Sequence, residues 1–195
     1  LVRSRGLGDV YKRQGQVSLT YIVAEGPDGL YLIDQHSAHE RVIYEKLKKD
    51  RTRAIPSQRL LEPVTVELTP HQSDMMEFLA PSLGEIGFEL EEFGPNTWLV
   101  RAVPAPFASR DVRRAVLDFI EALASGGTDH IEGDKVLATL ACHCAVKSGD
   151  TLSMEEMKKL VQDLETLDIM QTCPHGRPTV VRISIERLAR EFGRV

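Results

Sequence analysis

The apolar run Leu30-Tyr31-Leu32-Ile33 ends at a carboxylate, Asp34, and passes directly into Gln35-His36-Ser37-Ala38-His39-Glu40. This junction constrains the chain more than any other stretch. Two histidines and two carboxylates crowd the point where a strand becomes a helix. Two further ligand-rich patches lie far along the chain, Ala141-Cys142-His143-Cys144 and Cys173-Pro174-His175-Gly176-Arg177-Pro178. Carboxylate, imidazole and thiolate together are the usual ligand set of zinc. The chain therefore reads as a candidate metal-dependent enzyme.

On a helix starting at His36, Glu40, Ile43 and Leu47 follow at four, seven and eleven residues and share one face. An i, i+4 pair such as His36 and Glu40 can bring two ligands together, although most such pairs are surface hydrogen bonds. Asp34, at the strand end, can project from the sheet edge. Glu45 falls about half a turn out of phase with His36, which suits a supporting role behind the ligands. Cys173 and His175 can offer thiolate and imidazole from one short loop. Gly176 allows a turn there, and Arg177 can pair with a phosphate or a carboxylate. Cys142 sits among apolar neighbours, where a free cysteine is often a small core residue. His39, His71 and His130 have no comparable companions and read as structural or solvent-facing.

The 195 residues suit one domain or two small lobes, and 42% hydrophobic content supports a core. No apolar run approaches the roughly 18 residues of a membrane span, and no signal-peptide pattern opens the chain. Three cysteines argue against a disulfide framework and for a reducing, cytoplasmic setting. Residues 1–14 have no persuasive period and resemble translated sequencing-adapter sequence, so they are set outside the fold argument. Their Arg3, Arg5, Lys12 and Arg13 against Asp9 make that segment +3, which takes the remainder from −5 to −8. A chain this acidic lacks the basic footprint of a protein that grips DNA unaided. The local basic run from Lys46 to Arg53 reads as a solvated helix end.

The expected class is α+β. Val17 to Val23 and Leu30 to Asp34 read as a hairpin around the Glu25-Gly26-Pro27-Asp28-Gly29 turn. A helix follows over residues 36–49. Pro56 and Pro63 mark a connection before a strand at 64–68. Thr69 opens a helix that Pro81 should kink or end. Strands are expected at 88–93 and 97–103, with helices at 111–124 and 136–147. A further helix starts at Ser153, a strand covers 179–185, and a short helix closes the chain. The ligand patches come from the first and last thirds, so the middle third reads as an inserted lobe.

Together the patches resemble the C-terminal domain of the MutL mismatch-repair family. Its endonuclease-bearing members carry an Asp-Gln-His-Ala-x-x-Glu-x-x-x-x-Glu motif, which stands here as Asp34 to Glu45 with serine at 37. The family's Ala-Cys-Arg/Lys motif corresponds to Ala141-Cys142-His143, and Cys-Pro-His-Gly-Arg-Pro is complete at Cys173 to Pro178. The similarity runs from about Gln16 to Val195. It implies a dimerisation and endonuclease lobe (16–59 and 136–195) and an inserted regulatory lobe (60–135). It also implies a homodimer that nicks one strand of duplex DNA. Asp34, His36, Glu40, Cys142, Cys173 and His175 would form a one- or two-metal cluster. Zinc would bind there, and manganese or magnesium would support cleavage. Glu40 would be a ligand or a general base, and Arg177 would orient phosphate or anchor the carboxylates. ATP would act only through an N-terminal ATPase region outside this chain. Gln58-Arg59-Leu60-Leu61-Glu62-Pro63 matches the family's sliding-clamp motif, Gln-x-x-Leu/Ile-x-Pro, with Gln58, Leu61 and Pro63 at its fixed positions. MutS is a further implied partner, with nucleoid association during repair. The alternative within the same resemblance is a dimerisation module whose zinc is structural only.

Overall fold

The computed structural model describes residues 14–26, 28–50, 55–107, 111–125, 133–167 and 172–194. The adapter-like segment, apart from Gln14, lies outside them, as do Pro27 and His130. The chain is α+β and divides into two compact units, one of residues 1–43 and 145–195, the other of residues 44–144. Among the described residues no helix is long and apolar enough to cross a membrane.

The first unit is built on a four-stranded antiparallel sheet, β1 (Gln14–Val17), β2 (Tyr21–Gly26), β3 (Gly29–Asp34) and β7 (Val180–Ser184), in the order β1-β2-β3-β7. The strand expected at 17–23 is in fact split. Ser18 and Leu19 take positive φ angles of 52° and 49°, which turns the chain and pairs Val17 with Tyr21. β-Branched composition favours a strand at each side but cannot hold an extended backbone through that turn. Gln14, set aside with the foreign segment, pairs with Ala24. Gly29 has a φ of +142°, and a Cβ there would run into the backbone carbonyl of Ile183. Glycine is thus required for β3 to lie against β7.

One face of this sheet is covered. Ile22, Ala24 and Ile33 pack with Ala38 and Val42 of α1 (Gln35–Asp50) and with Met157, Leu160, Val161 and Leu164 of α5 (Met154–Glu165). The i, i+3, i+4 spacing of those α5 residues is an amphipathic stripe, and the helix is started by a capping box between Ser153 and Glu156. The opposite face is formed by the alternating residues Val17, Tyr21, Val23, Leu32 and Val181, which the register places side by side. Of these, Val17, Tyr21 and Val181 are exposed. α6 (Ile185–Glu191) follows β7 directly.

The second unit holds a three-stranded antiparallel sheet, β4 (Ser57–Glu67), β5 (Glu89–Gly94) and β6 (Thr97–Pro104), in the order β4-β6-β5. Its helices are α2 (Pro70–Glu85), α3 (Val112–Ser125) and α4 (Gly133–Cys144). Phe88, Phe107 and Phe119 form its aromatic centre, with ring centroids 5.5 to 5.9 Å apart. Thr69 and Gln72 cap α2 as the sequence implies. The helix nevertheless runs through Pro81 to Glu85. An interior proline costs about 3 kcal/mol, and the buried stripe of Met75, Met76, Leu79 and Leu83 supplies compensating apolar burial on both sides of it. The expected connection at 56–63 also differs, because β4 is continuous from Ser57 to Glu67. It pairs with β6 at Arg59↔Ala102 and again at Val64↔Val100, so Leu60, Leu61, Glu62 and Pro63 stand against the single residue Arg101. The sheet absorbs the proline as a bulge on its edge strand, where a missing N–H is tolerated.

Candidate metal centre

Asp34 is the last residue of β3 and the cap of α1. Its Oδ1 accepts the backbone N–H of Ser37 at 2.8 Å, the bond that satisfies one free donor of a helix start. Its own N–H donates to the carbonyl of Thr179 at 3.0 Å. The cap fixes the direction in which α1 leaves the sheet, and so where His36 and Glu40 stand.

The 172–178 loop is set by backbone bonds. Thr172 and Pro178 form an isolated antiparallel bridge. The N–H of Cys173 donates to the carbonyl of Arg177 at 2.9 Å, and that of Gly176 donates to the carbonyl of Cys173 at 2.9 Å. Gly176 has a φ of +80°, which glycine adopts without steric cost. Arg41 of α1, buried, reaches the loop through a guanidinium hydrogen bond to the Thr172 carbonyl at 3.4 Å.

This loop meets α1 at Glu40. The Nδ1 of His175 lies 2.5 Å from Oε1 of Glu40. Glu40 is only 3% exposed at its side chain, while His175 is 49% exposed. Cys173 is buried and completes the group: one ligand atom from each of Glu40, Cys173 and His175 lies within 4.8 Å of the others. An ionised carboxylate only accepts hydrogen bonds. Against it, Nδ1 of His175 is the donor and Nε2 carries the lone pair.

His36 is held differently. Its Nδ1 lies 2.8 Å from the carbonyl oxygen of Val146, which can only accept, so Nδ1 carries the proton and Nε2 the lone pair. That Nε2 lies 3.8 Å from Oε2 of Glu40. The N–H of the same Val146 donates to Nδ1 of His39 at 3.1 Å. His39 thus has its Nδ1 lone pair occupied, in line with a structural role.

Asp34 caps α1 and is not one of the three groups drawn together within 4.8 Å. Arg177 is exposed. Cys142 is half-buried on α4 and Glu45 half-buried on α1, both in the second unit. His71 is exposed, and His143 sets its ring edge-on to Phe119 with centroids 5.8 Å apart. Gln58, Leu61 and Pro63 are all exposed on the β4 bulge. They line an open groove of about 710 Å³ together with residues 111–113.

Two buried polar residues near this site have no role in the sequence reading. Gln35 is fully buried and lies within the first motif, but its type alone carries no metal signal. Thr179 is 1% exposed, and its hydroxyl has no hydrogen-bond partner among the described residues. Its position follows only from the strand register that sets it opposite Asp34.

The fold and site define a class: an α+β protein in which a capped helix and a glycine-turned loop bring oxygen, nitrogen and sulfur donors together beside an antiparallel sheet. Residues 14–152 match the family model described as the MutL C-terminal dimerisation domain, and the chain belongs to that family. It is 44% identical over 187 residues to the DNA mismatch repair protein MutL of Sphingopyxis alaskensis, covering 93% of this chain and 31% of that protein. The MutL protein of Symbiobacterium thermophilum is 43% identical, over 92% of this chain and 29% of its own length. That of Methanothrix thermoacetophila is 42% identical, over 92% and 32%. The chain thus spans about a third of the length of these relatives.

Proposed function

We propose that the chain is the endonuclease and dimerisation part of a mismatch-repair protein, which nicks one strand of duplex DNA when divalent metal is bound. The observation that carries this reading is the convergence of Glu40 with Cys173 and His175, which lie more than 130 residues further along the chain. Their donor chemistry fits zinc, which takes thiolate, imidazole and carboxylate together. With His175 half exposed, the group is open on one side, as catalytic sites are and closed structural sites are not. A bound divalent ion would polarise a phosphodiester and lower the pKa of a water.

The chain's own residues do the holding. Glu40, buried, holds the His175 ring by its Nδ1 edge. The cap at Asp34 and the Arg41 bond to Thr172 fix α1 and the loop to one another. Arg177, exposed, would pair with a phosphate. The chain's net charge of −5 disfavours unaided DNA binding, so activity is latent until partners deliver the duplex.

Homodimerisation would use the uncovered face of the four-stranded sheet. Val17, Tyr21 and Val181, with Ile185 beyond the end of β7, leave exposed apolar surface there, of the kind that marks an interface. For the sliding clamp, the docking element would be the β4 bulge. Leu61 is fully exposed (105%) on an edge strand, where an extended peptide can enter a partner's groove.

The test is a supercoiled-plasmid nicking assay with manganese, with and without clamp. Nicking that Glu40→Gln abolishes is the expected result. A zinc-loaded protein that never nicks, even with clamp, would leave only the dimerisation module.

A further inference from the structure

We propose that Gln35 is a positioning residue for His36, acting through the turn at residues 147–150. Its Oε1 accepts from Nε2 of Gln16 at 2.6 Å. Its Nε2 donates to the carbonyls of Leu19, Lys147 and Asp150 at 3.0, 2.8 and 3.1 Å. Three carbonyls gathered at one end of the amide require that end to be the NH₂ group, so the side chain has a single orientation. The turn it grips is closed on itself. The N–H of Lys147 donates to Oδ2 of Asp150 at 2.7 Å, and that of Asp150 donates to the Lys147 carbonyl at 3.2 Å. The side-chain NH₂ of Gln16 donates a second hydrogen bond to the Asp150 carbonyl at 2.8 Å.

The residue entering that turn is Val146, whose carbonyl takes the Nδ1 proton of His36. Gln35 precedes His36 in sequence and touches the turn, while the turn touches His36. The amide therefore holds the Val146 carbonyl where it keeps the lone pair of His36 on Nε2, the nitrogen nearer Glu40. Partners that fix the tautomer of a ligating histidine typically change metal affinity 10- to 100-fold when lost. This inference rests on His36 being the metal ligand that the family resemblance implies, but its first readout needs no metal.

The experiment uses Gln35→Met, which keeps length and removes the donors. In zinc-free protein, ¹⁵N NMR of the His36 ring should show the Nδ1–H tautomer in the parent and a mixture of tautomers in the variant. Zinc affinity, measured by competition with a chelating dye, should fall about 10-fold. A general loss of stability would not alter the tautomer of the folded fraction. Should Gln35→Met fail to fold, Asp150→Ala loosens the same turn from the exposed side and should shift His36 in the same direction. An unchanged tautomer with zinc affinity within about twofold, in whichever variant folds, overturns the proposal. A parent protein that binds no zinc counts against the metal-site reading, and the tautomer measurement then decides this inference by itself.

Discussion

The His175 imidazole and the Glu40 carboxylate meet at 2.5 Å across 135 residues of sequence. One partner is buried on a helix and the other sits on an exposed loop, so the contact joins the interior of the first unit to solvent at the place where the donors gather.

If that gathering holds zinc, Cys173→Ala with His175→Ala should remove most of it. Elemental analysis of purified protein measures this directly. Zinc retained at the parent level would mean that the metal sits elsewhere.

Asp34 allows its cap to be separated from its charge. Asparagine caps a helix about as well as aspartate, whereas alanine costs about 1 kcal/mol. Asp34→Asn should therefore unfold within a few tenths of a kcal/mol of the parent, and Asp34→Ala clearly below it; if the carboxylate charge also serves a bound metal, as the family resemblance implies, both lose nicking. Denaturant melts beside the plasmid assay check the two effects. Full activity in Asp34→Asn would assign the residue to the cap alone.

The uncovered sheet face makes a prediction about assembly. Light scattering of the parent should give twice the 21.8 kDa chain mass. Val181→Asp, which puts a charge on the edge strand β7 of that face, should give the single-chain mass with unchanged circular dichroism. A dimer that survives the substitution would place the interface elsewhere.

On β4, Gln58→Ala with Leu61→Ala should weaken sliding-clamp binding and clamp-stimulated nicking while basal manganese-dependent nicking persists. Both residues are exposed and neither belongs to the metal group. Equal stimulation of parent and variant by clamp loaded on DNA would reduce the bulge to a feature of the sheet.

Glu165 ends α5, and burial pushes its carboxyl up from 4.5 to about 7. A raised folded-state value means that the folded chain binds the proton more tightly than the unfolded chain. The associated stability is complete below about pH 4.5 and declines as pH rises to about 7. Glu165→Gln should flatten that decline, matching the parent at pH 4 and exceeding it at pH 8 in thermal melts. A parallel pH dependence in the two proteins would show that the burial does not persist in solution.

The sequence by itself determined the chemistry of the patches and most of the elements that carry them. His36 and Glu40 share a helix face because of a 3.6-residue period, and Thr69 and Ser153 start helices because of capping boxes. Gly176 marks a turn because few other residues accept its backbone. All of these are local rules, satisfied within a few residues. Tertiary structure decided which donors meet. Glu40 joins Cys173 and His175 because β7 pairs with β3 and sets the 172–178 loop beside α1, a long-range pairing that no local pattern encodes. Long-range contacts also left the Thr179 hydroxyl buried opposite Asp34 and gave Gln35 three carbonyl partners, two of them more than 100 residues away. The same holds for the stretch from Gln58 to Pro63. Its prolines suggest a connection, and only its pairing with β6 turns it into a bulged edge strand, because a ladder's hydrogen bonds depend on the neighbouring strand rather than on the residues' own preferences.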